Sequence, residues 1–235
     1  MSPKIVRWTG MLMGLTAAFA LAGEPDVKSP VLMIGDSMMR LPGLAMEREL
    51  SRLPNMEATS FSGIGTGLAR LDAFDWLGKI DELCAEHRPR VAVVALGAND
   101  RQPMQLQGAH SVVQPATDEW DAEYGRRIGQ AMDRLAVGGC ERIIWLLLPP
   151  MRDPVIDAFA RRVNEQVVEA AASRPQVVTH DFSSLVADRR TGGYTDRTMD
   201  PRTAASIRVR DPDGIHLTPD AARMLATSLI QEYWQ

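Results

Sequence analysis

The sequence predicts a single α/β domain of three layers, in which helices cover both faces of a doubly wound, mainly parallel five-stranded sheet. Three observations support this fold class. Short apolar runs alternate along the chain with longer segments of helical period. Runs such as residues 91–96 are apolar on both faces, as in buried parallel strands. The 235 residues, 45% hydrophobic, suffice for one core of ordinary size.

The strands and helices follow one another in the order that a βαβ succession requires. Each expected strand is a run of four to six mostly apolar residues, and each expected helix is a longer amphipathic segment. Thr218 and Pro219 supply the cap and first position of the last helix. The expected strands are residues 31–34, 56–61, 91–96, 143–148 and 176–180. The expected helices are residues 38–53, 71–86, 118–137, 153–173 and 219–234.

Two long segments interrupt this alternation. Residues 101–117 are rich in Gln, Gly and Pro, and residues 183–212 are rich in Arg, Thr, Gly and Asp. Long loops at the carboxyl-terminal edge of an open sheet shape its ligand crevice, although a mobile insertion is the alternative. We expect the two segments to border a binding cleft.

Residues 1–22 have the composition of a secretory leader. Lys4 and Arg7 precede an apolar stretch that ends in Ala20-Leu21-Ala22, a small-x-small cleavage pattern. The stretch is short for a membrane span, so we expect a cleaved signal peptide and a domain over residues 23–235, periplasmic or secreted. An uncleaved anchor is the alternative.

Charge and cysteine content exclude several classes of function. Without the leader the chain keeps 24 basic and 30 acidic residues, a formal charge of −6, which does not favour nucleic acid as a partner. Cys84 and Cys140 have no metal-ligand spacing, so no zinc cluster is expected. Each precedes a strand and both fall at one end of the sheet, where they are either joined by a disulfide or free.

Two other motifs fail their patterns. Gly63-x-Gly65 lacks the third glycine of a dinucleotide-binding turn, because position 68 is Leu68. Asp211-x-Asp213-Gly214 lacks the later acidic residue of a calcium loop. We therefore expect neither a nicotinamide nor a metal site, and no cofactor.

Ser37, His216 and Asp213 are the residues whose types and positions indicate nucleophilic catalysis. The apolar run before Ser37 ends in a tight turn, and this turn presents the Ser37 hydroxyl at the edge of the sheet. A serine hydroxyl becomes a nucleophile when a base takes its proton and a third group orients that base. Asp213 lies three residues before His216, close enough for its carboxylate to hold the ring.

Acyl transfer also needs donors for a negatively charged oxygen. The Ser37 N–H, a glycine N–H from the segment 63–67 and the amide of Asn99, which follows the third strand, are candidates. Taken singly, each motif has an ordinary alternative as a turn, a helix cap or a structural histidine. Their order and their placement after strands favour a catalytic site.

These blocks resemble the SGNH, or GDSL-type, hydrolase superfamily. The resemblance rests on Gly35-Asp36-Ser37, a glycine after the second strand, Gly97-x-Asn99-Asp100 and Asp213-x-x-His216, and it covers nearly the whole mature chain. It is closest to a periplasmic branch of unknown substrate, described as a domain of unknown function, through Thr66-Gly67-Leu68-Ala69-Arg70 and the residues that follow Asn99.

The resemblance implies a flavodoxin-like fold and a role for each matching residue. It makes Ser37 the nucleophile, His216 the base, Asp213 the orienting carboxylate and Asn99 an oxyanion donor. Gly67 matches the branch best as the glycine donor, with Gly63 or Gly65 as alternatives if the second strand ends early. Met38 replaces a typical leucine, a change that leaves the triad unaffected.

Other residues are expected at the substrate. Arg101 and Gln102 follow the Asn99 block and are candidates for binding a carboxylate, a phosphate or sugar hydroxyls, with a salt bridge of Arg101 to a loop acid as the alternative. Asp36 and Gly65 complete the expected substrate-binding set. Trp120 and Tyr124, four apart on one helix face, are expected to pack rather than to stack on sugar.

The function expected is that of a secreted serine esterase which forms an acyl-serine intermediate on small acyl esters, acetyl above all, of a cell-envelope glycan or a small molecule. An O-acetyltransferase with the same triad is the first alternative, and a non-catalytic glycan-binding or assembly protein is the second. The residues leave the oligomeric state and the acyl acceptor open.

Overall fold

The computed structural model describes residues 29–106 and 111–234. Five parallel strands form the central sheet in the order β2-β1-β3-β6-β7, which confirms the predicted doubly wound α/β class. The strands are β1 (Ser29–Gly35), β2 (Met56–Ser62), β3 (Val91–Ala95), β4 (Met104–Gln105), β5 (Val112–Val113), β6 (Arg142–Leu146), β7 (Val177–His180), β8 (Arg197–Met199) and β9 (Ser206–Arg208). The helices are α1 (Ser37–Leu50), α2 (Trp76–His87), α3 (Asp118–Val137), α4 (Pro154–Ala171), α5 (Ser183–Val186) and α6 (Pro219–Tyr233).

The core lies on both faces of the sheet. The middle of β1, from Val31 to Ile34, is buried throughout, as its continuous apolar run predicts. Helix α1 packs against α6, while α3 packs against α2 and α4. Trp76, Trp120 and Trp145 are the largest apolar side chains among the fully buried residues that the structure describes.

Two element boundaries differ from the prediction for reasons that the contacts explain. The helix expected from residue 71 begins at Trp76, because Asp75 caps it by accepting the Gly78 N–H at 2.9 Å. The strand expected to reach residue 148 ends at Leu146, and the Leu148 N–H is instead bound at 2.8 Å by the Asn164 side chain of α4.

Both long loops contain short antiparallel hairpins. Strands β4 and β5 pair within the first loop, and β8 and β9 pair within the second. The expected signal peptide, residues 1–22, lies outside the described residues. Among residues 29–106 and 111–234, the structure contains no helix of the length and apolarity that a membrane crossing requires.

The topology places one crevice at the carboxyl-terminal edge of the sheet. From β1 the chain crosses to β2 on one side, and β3 lies on the other side of β1. The chain segments that follow β1 and β3 therefore run toward opposite edges of the sheet. Sheets of this kind bind ligands in the crevice between two such segments. Ser37 follows β1 and Asn99 follows β3, so both lie at this point.

Candidate active site

Ser37 is the first residue of α1 and is positioned by a tight strand-to-helix turn. Gly35 allows that turn, because a Cβ at this position would lie 2.1 Å from the carbonyl oxygen of Ala95. Asp36 caps the helix by accepting the Met38 N–H at 2.8 Å. The half-buried Ser37 hydroxyl is thus fixed at the sheet edge by backbone that cannot shift freely.

His216 and Asp213 lie opposite Ser37 on the loop before α6. The distance from Ser37 Oγ to His216 Nε2 is 2.7 Å, and that from His216 Nδ1 to Asp213 Oδ2 is 2.5 Å. The second oxygen of Asp213 accepts the N–H groups of Ile215 at 2.8 Å and His216 at 3.0 Å. The three side chains therefore form one continuous hydrogen-bonded line.

Hydrogen bonding keeps Asp213 in its charged form. Partial burial acts to raise its pKa, but the His216 ring and two backbone N–H groups outweigh that effect, and the pKa of Asp213 lies below its ordinary value. A charged carboxylate at Nδ1 fixes the ring tautomer and leaves Nε2 free to accept the Ser37 proton.

Asp36 occupies a different place from the one expected. It is fully buried, and its carboxylate also accepts the N–H groups of Gly97 and Ala98, both at 3.1 Å. Burial raises the pKa of Asp36 to about 7, against the opposing effect of these backbone hydrogen bonds. Asp36, expected at the substrate, is absent from the residues that line the cleft, and it holds the ends of β1 and β3 together.

The Asn99 side chain lies in the cleft with Ser37 and His216. Its Nδ2 donates to the carbonyl oxygen of Thr66 at 3.0 Å, which uses one of two amide protons and orients the other. Gln102 Nε2 donates to the Asn99 carbonyl oxygen at 2.8 Å. Gln102 is not among the residues that line the catalytic cleft or the neighbouring cavity, and its hydrogen bond supports the backbone at Asn99.

The three candidate glycines have different surroundings. The Gly63 N–H donates to the Gly35 carbonyl oxygen at 2.9 Å and is therefore occupied. Gly67 is buried against Asp100, whose Oδ1 would lie 2.1 Å from an added Cβ. Gly65 has φ +74°, is exposed and lines the cleft. Neither the Gly65 N–H nor the Gly67 N–H has a hydrogen-bond partner among the described residues. Exposure to the cleft is therefore what favours Gly65 over Gly67.

The cleft itself has a volume of about 310 Å³. Ser37 and His216 lie among its lining residues, together with apolar side chains and two charged residues, Arg40 and Asp211. The lining residues are Ser37, Met38, Arg40, Leu41, Pro42, Ile64, Gly65, Asn99, Asp211, His216 and Leu217.

A buried polar network behind Asn99 was not anticipated from the sequence. Asp100 accepts the Tyr124 hydroxyl at 2.5 Å and the Ala69 N–H at 2.7 Å. Burial raises the pKa of Asp100 despite these hydrogen bonds. Asp100 is thus no partner for Arg101, and Trp120 and Tyr124 stack in the core at 4.4 Å, which confirms that they pack. The only sequence signal was the position of Asp100 beside Asn99.

Arg152, Tyr194 and Asp196 form a second group that sequence reasoning missed. Arg152 Nη2 donates to Asp196 Oδ1 at 2.7 Å and to the Tyr194 hydroxyl at 2.8 Å. These residues come from two loops far apart in sequence. No local motif marks them, and the contacts of Arg152 with Pro212 and Gly214 relate them to the site.

Cys84 and Cys140 are buried, unjoined and close enough for a hydrogen bond between their thiols. Within residues 29–106 and 111–234, no cluster of three or more His, Cys, Asp or Glu side chains is arranged to hold a metal ion.

Comparison with known proteins agrees with this fold. A member of the lipolytic G-D-S-L family from Veillonella parvula is 16% identical, with a TM-score of 0.58, and covers 87% of this chain and 98% of its own. The Clostridium thermocellum family 3 carbohydrate esterase is 13% identical, with a TM-score of 0.55 and coverage of 87% and 94%. A salicylyl-acyltransferase from a tetracycline biosynthetic pathway is 12% identical, with a TM-score of 0.51, covering 89% of this chain and 55% of its own.

The five-stranded parallel sheet, with Ser37 after β1 and the Asp213–His216 loop before the last helix, defines the protein as one of SGNH, or GDSL, fold. The comparison with curated protein sequences found no match. The chain belongs to the family described as "Protein of unknown function (DUF459)", which matches residues 30–232.

Proposed function

We propose that this protein is a serine esterase that cleaves O-acyl esters through an acyl-serine intermediate. The observation that carries the proposal is the line of hydrogen bonds from Asp213 through His216 to Ser37, which opens into a cleft beside Asn99. The solved structures of similar fold include esterases, a lipase and an acyltransferase, which supports acyl-transfer chemistry.

The mechanism follows from the protonation states that the contacts favour. His216 Nε2 takes the Ser37 proton as Oγ attacks the ester carbonyl, and Asp213 stabilises the imidazolium that forms. The carbonyl oxygen becomes negative and is met by the Ser37 N–H, the Gly65 N–H and the free amide proton of Asn99. His216 then gives its proton to the leaving alcohol, and the acyl group stays on Ser37.

A second nucleophile completes the cycle. Water, deprotonated by His216, attacks the acyl-serine and releases the carboxylic acid, which regenerates the Ser37 hydroxyl. An acceptor hydroxyl in the same position would make the protein an acyltransferase. The substrates we propose are O-acyl esters of a cell-envelope glycan or of a small molecule. The location we propose is the periplasm or the exterior, on the strength of the leader-like composition of residues 1–22.

The test is a covalent intermediate. Residues 23–235 are incubated with p-nitrophenyl acetate, p-nitrophenol release is followed, and mass spectrometry seeks an adduct of about 42 Da on Ser37. We expect turnover, with loss of several orders of magnitude in Ser37→Ala and His216→Ala. The control is Ser206→Ala, an exposed serine in β9. Equal rates in wild type and Ser37→Ala would contradict the proposal and favour a binding protein.

A further inference from the structure

A second cavity of about 170 Å³ adjoins the catalytic cleft. Asn99 lines both spaces, and Ile215, between Asp213 and His216, forms part of the second wall. Neither Ser37 nor His216 lines this cavity. We call it the Phe159 pocket, and its lining residues are Gly97, Ala98, Asn99, Arg101, Leu148, Met151, Ile156, Phe159, Ala160 and Ile215.

The position of the base decides which part of an ester enters the Phe159 pocket. His216 must protonate the departing alcohol, and His216 lines the main cleft. The alcohol therefore lies in the main cleft. The Phe159 pocket, which shares Asn99 with the main cleft, is the adjoining space that remains open to the acyl chain.

The pocket is lined for an apolar group. Phe159 and Ala160 from α4 and Leu148 and Met151 from the loop after β6 are buried, while Ile215 closes the side toward the catalytic loop. The volume corresponds to about six non-hydrogen atoms, if each takes up about as much space as a water molecule. An acetyl group leaves most of this space empty, whereas a chain of four to six carbons fills it.

Arg101 adds one specific charge to this apolar lining. It is exposed, it is the only charged residue among the described lining residues, and it makes no ion pair or hydrogen bond with any described residue. The nearest sequence neighbour with a carboxylate, Asp100, is turned into the core and bound by Tyr124. Its guanidinium is therefore available to an anion from outside the chain.

Acidic residues at the start of α4 do not compensate this charge. Asp153 caps the helix through the N–H groups of Val155 and Ile156. Asp157 accepts the Met151 N–H at 2.9 Å and pairs with Arg161 at 2.7 Å. Both carboxylates are thus engaged elsewhere, and Arg101 is the charged group of the described lining that has no partner.

We propose that the Phe159 pocket binds the acyl chain of the natural ester, and that this chain is a short apolar one ending in a carboxylate that pairs with Arg101. The substrate class is an ester of a dicarboxylic acid with about four methylene groups between its carboxyls. This inference rests on the proposed esterase function and specifies the acyl group that it transfers.

The experiment compares three p-nitrophenyl esters, the acetate, the hexanoate and the mono-adipate, whose chain matches hexanoate but ends in a carboxylate. We expect kcat/KM to rise at least about tenfold from acetate to hexanoate, because added methylenes fill the pocket. A further rise of about tenfold is expected from hexanoate to mono-adipate, through a charge-assisted pair with Arg101.

Variants assign each preference to its residue. In Arg101→Gln the adipate-to-hexanoate ratio should fall to about one, and in Arg101→Lys part of it should return. In Ala160→Leu the hexanoate-to-acetate ratio should fall because the pocket is filled. Ile156→Trp, at a half-buried lining position, replaces that variant if Ala160→Leu lowers Tm. Arg48→Gln is the matched control, since Arg48 is exposed on α1 and lines neither cavity.

Outcomes for the pocket and for the esterase are separable. Loss of all three rates in Ser37→Ala supports the esterase, whatever the ratios are. Ratios that Arg101→Gln and the filling variants leave unchanged overturn the pocket assignment. If no ester turns over, calorimetric titration of N-phenyladipamate against N-phenylhexanamide reads the same preference from binding, and equal affinities overturn the assignment.

Discussion

The backbone N–H of Arg152 donates to the carbonyl oxygen of Gly214 at 3.1 Å, inside the loop that carries Asp213 and His216. Gly214 has φ +78°, and a Cβ there would lie 2.5 Å from Arg152 Cβ. Arg152 Nη1 also donates to the Pro212 carbonyl oxygen at 2.7 Å. One residue therefore holds this loop on both sides of Asp213.

Arg152→Ala should lower kcat about tenfold or more and leave KM nearly unchanged, because small shifts of a base cost rate while Arg152 lines neither cavity. Steady-state kinetics with p-nitrophenyl acetate measure both constants. Arg161→Ala, an exposed arginine paired with Asp157, is the control. If Arg152 only stabilised the fold, Arg152→Ala would lower Tm and would not lower kcat selectively at constant KM. Arg152→Lys should restore part of kcat.

Asp36 gives stability a pH dependence. Its pKa of about 7 in the fold exceeds the usual carboxyl value, so between pH 4 and pH 7 the folded state binds more protons than the unfolded state. The contribution of Asp36 to the free energy of unfolding therefore falls as pH rises from 4 to 7, by about 4 kcal/mol at most. Asp36→Asn should remove the slope.

Urea unfolding of wild type and Asp36→Asn at pH 5 and pH 8 tests this effect. Asp100 also has a raised pKa, and its charge contributes to raising the pKa of Asp36, so the difference between the two proteins reports Asp36 together with this coupling. Asp118→Asn, at a fully exposed side chain, serves as the control. Parallel pH dependences in wild type and Asp36→Asn would show that Asp36 titrates as an ordinary carboxyl.

Alanine at Gly67 should lower the stability of the fold, whereas alanine at Gly65 should lower the catalytic rate. Gly67→Ala places a Cβ against Asp100 and should reduce the free energy of unfolding by about 1 to 3 kcal/mol. Gly65→Ala meets no atom within 4 Å, yet its positive φ disfavours a side chain and shifts the N–H offered to the oxyanion. We expect it to lower kcat about tenfold to a hundredfold.

Unfolding curves and kcat, measured on both variants, separate these effects. Gly193→Ala, which meets only Thr191 at 3.4 Å and has no positive φ, controls for the substitution itself. A large loss of kcat in Gly67→Ala at wild-type stability, with Gly65→Ala fully active, would return the oxyanion role to Gly67.

Cys84 and Cys140 should form a disulfide under oxidising conditions. Oxidised glutathione accepts two electrons from the two thiols and becomes two reduced molecules as the S–S bond forms. The bond closes a loop between positions 84 and 140, for which chain entropy gives about 4 kcal/mol of stabilisation. Mass spectrometry should show a loss of about 2 Da, with a higher Tm than in Cys84→Ser. Equal Tm values would leave the pair without a stabilising role.

Much of the fold was predictable because it depends on local patterns. Runs such as residues 91–96 are apolar on both faces, and their alternation with segments of helical period predicts a parallel sheet covered by helices. Boundaries were less predictable, since Asp75 moves the start of α2 through one side-chain hydrogen bond. The close spacing of Asp213 and His216 likewise predicted their contact, because three residues of loop keep the two side chains within reach.

The sequence alone determined the class of fold, because the spacing of apolar residues predicts the strands and helices. It also determined which residues reach the edge of the sheet, because residues that follow parallel strands lie at the same edge. The tertiary structure decided which of those residues face the cleft. Asp36 and Gln102 bind backbone beneath it, Gly65 rather than Gly67 lines it, and Arg101 opens onto a pocket built by α4. These assignments depend on contacts between segments distant in sequence, whose geometry exists only once the sheet and helices have packed.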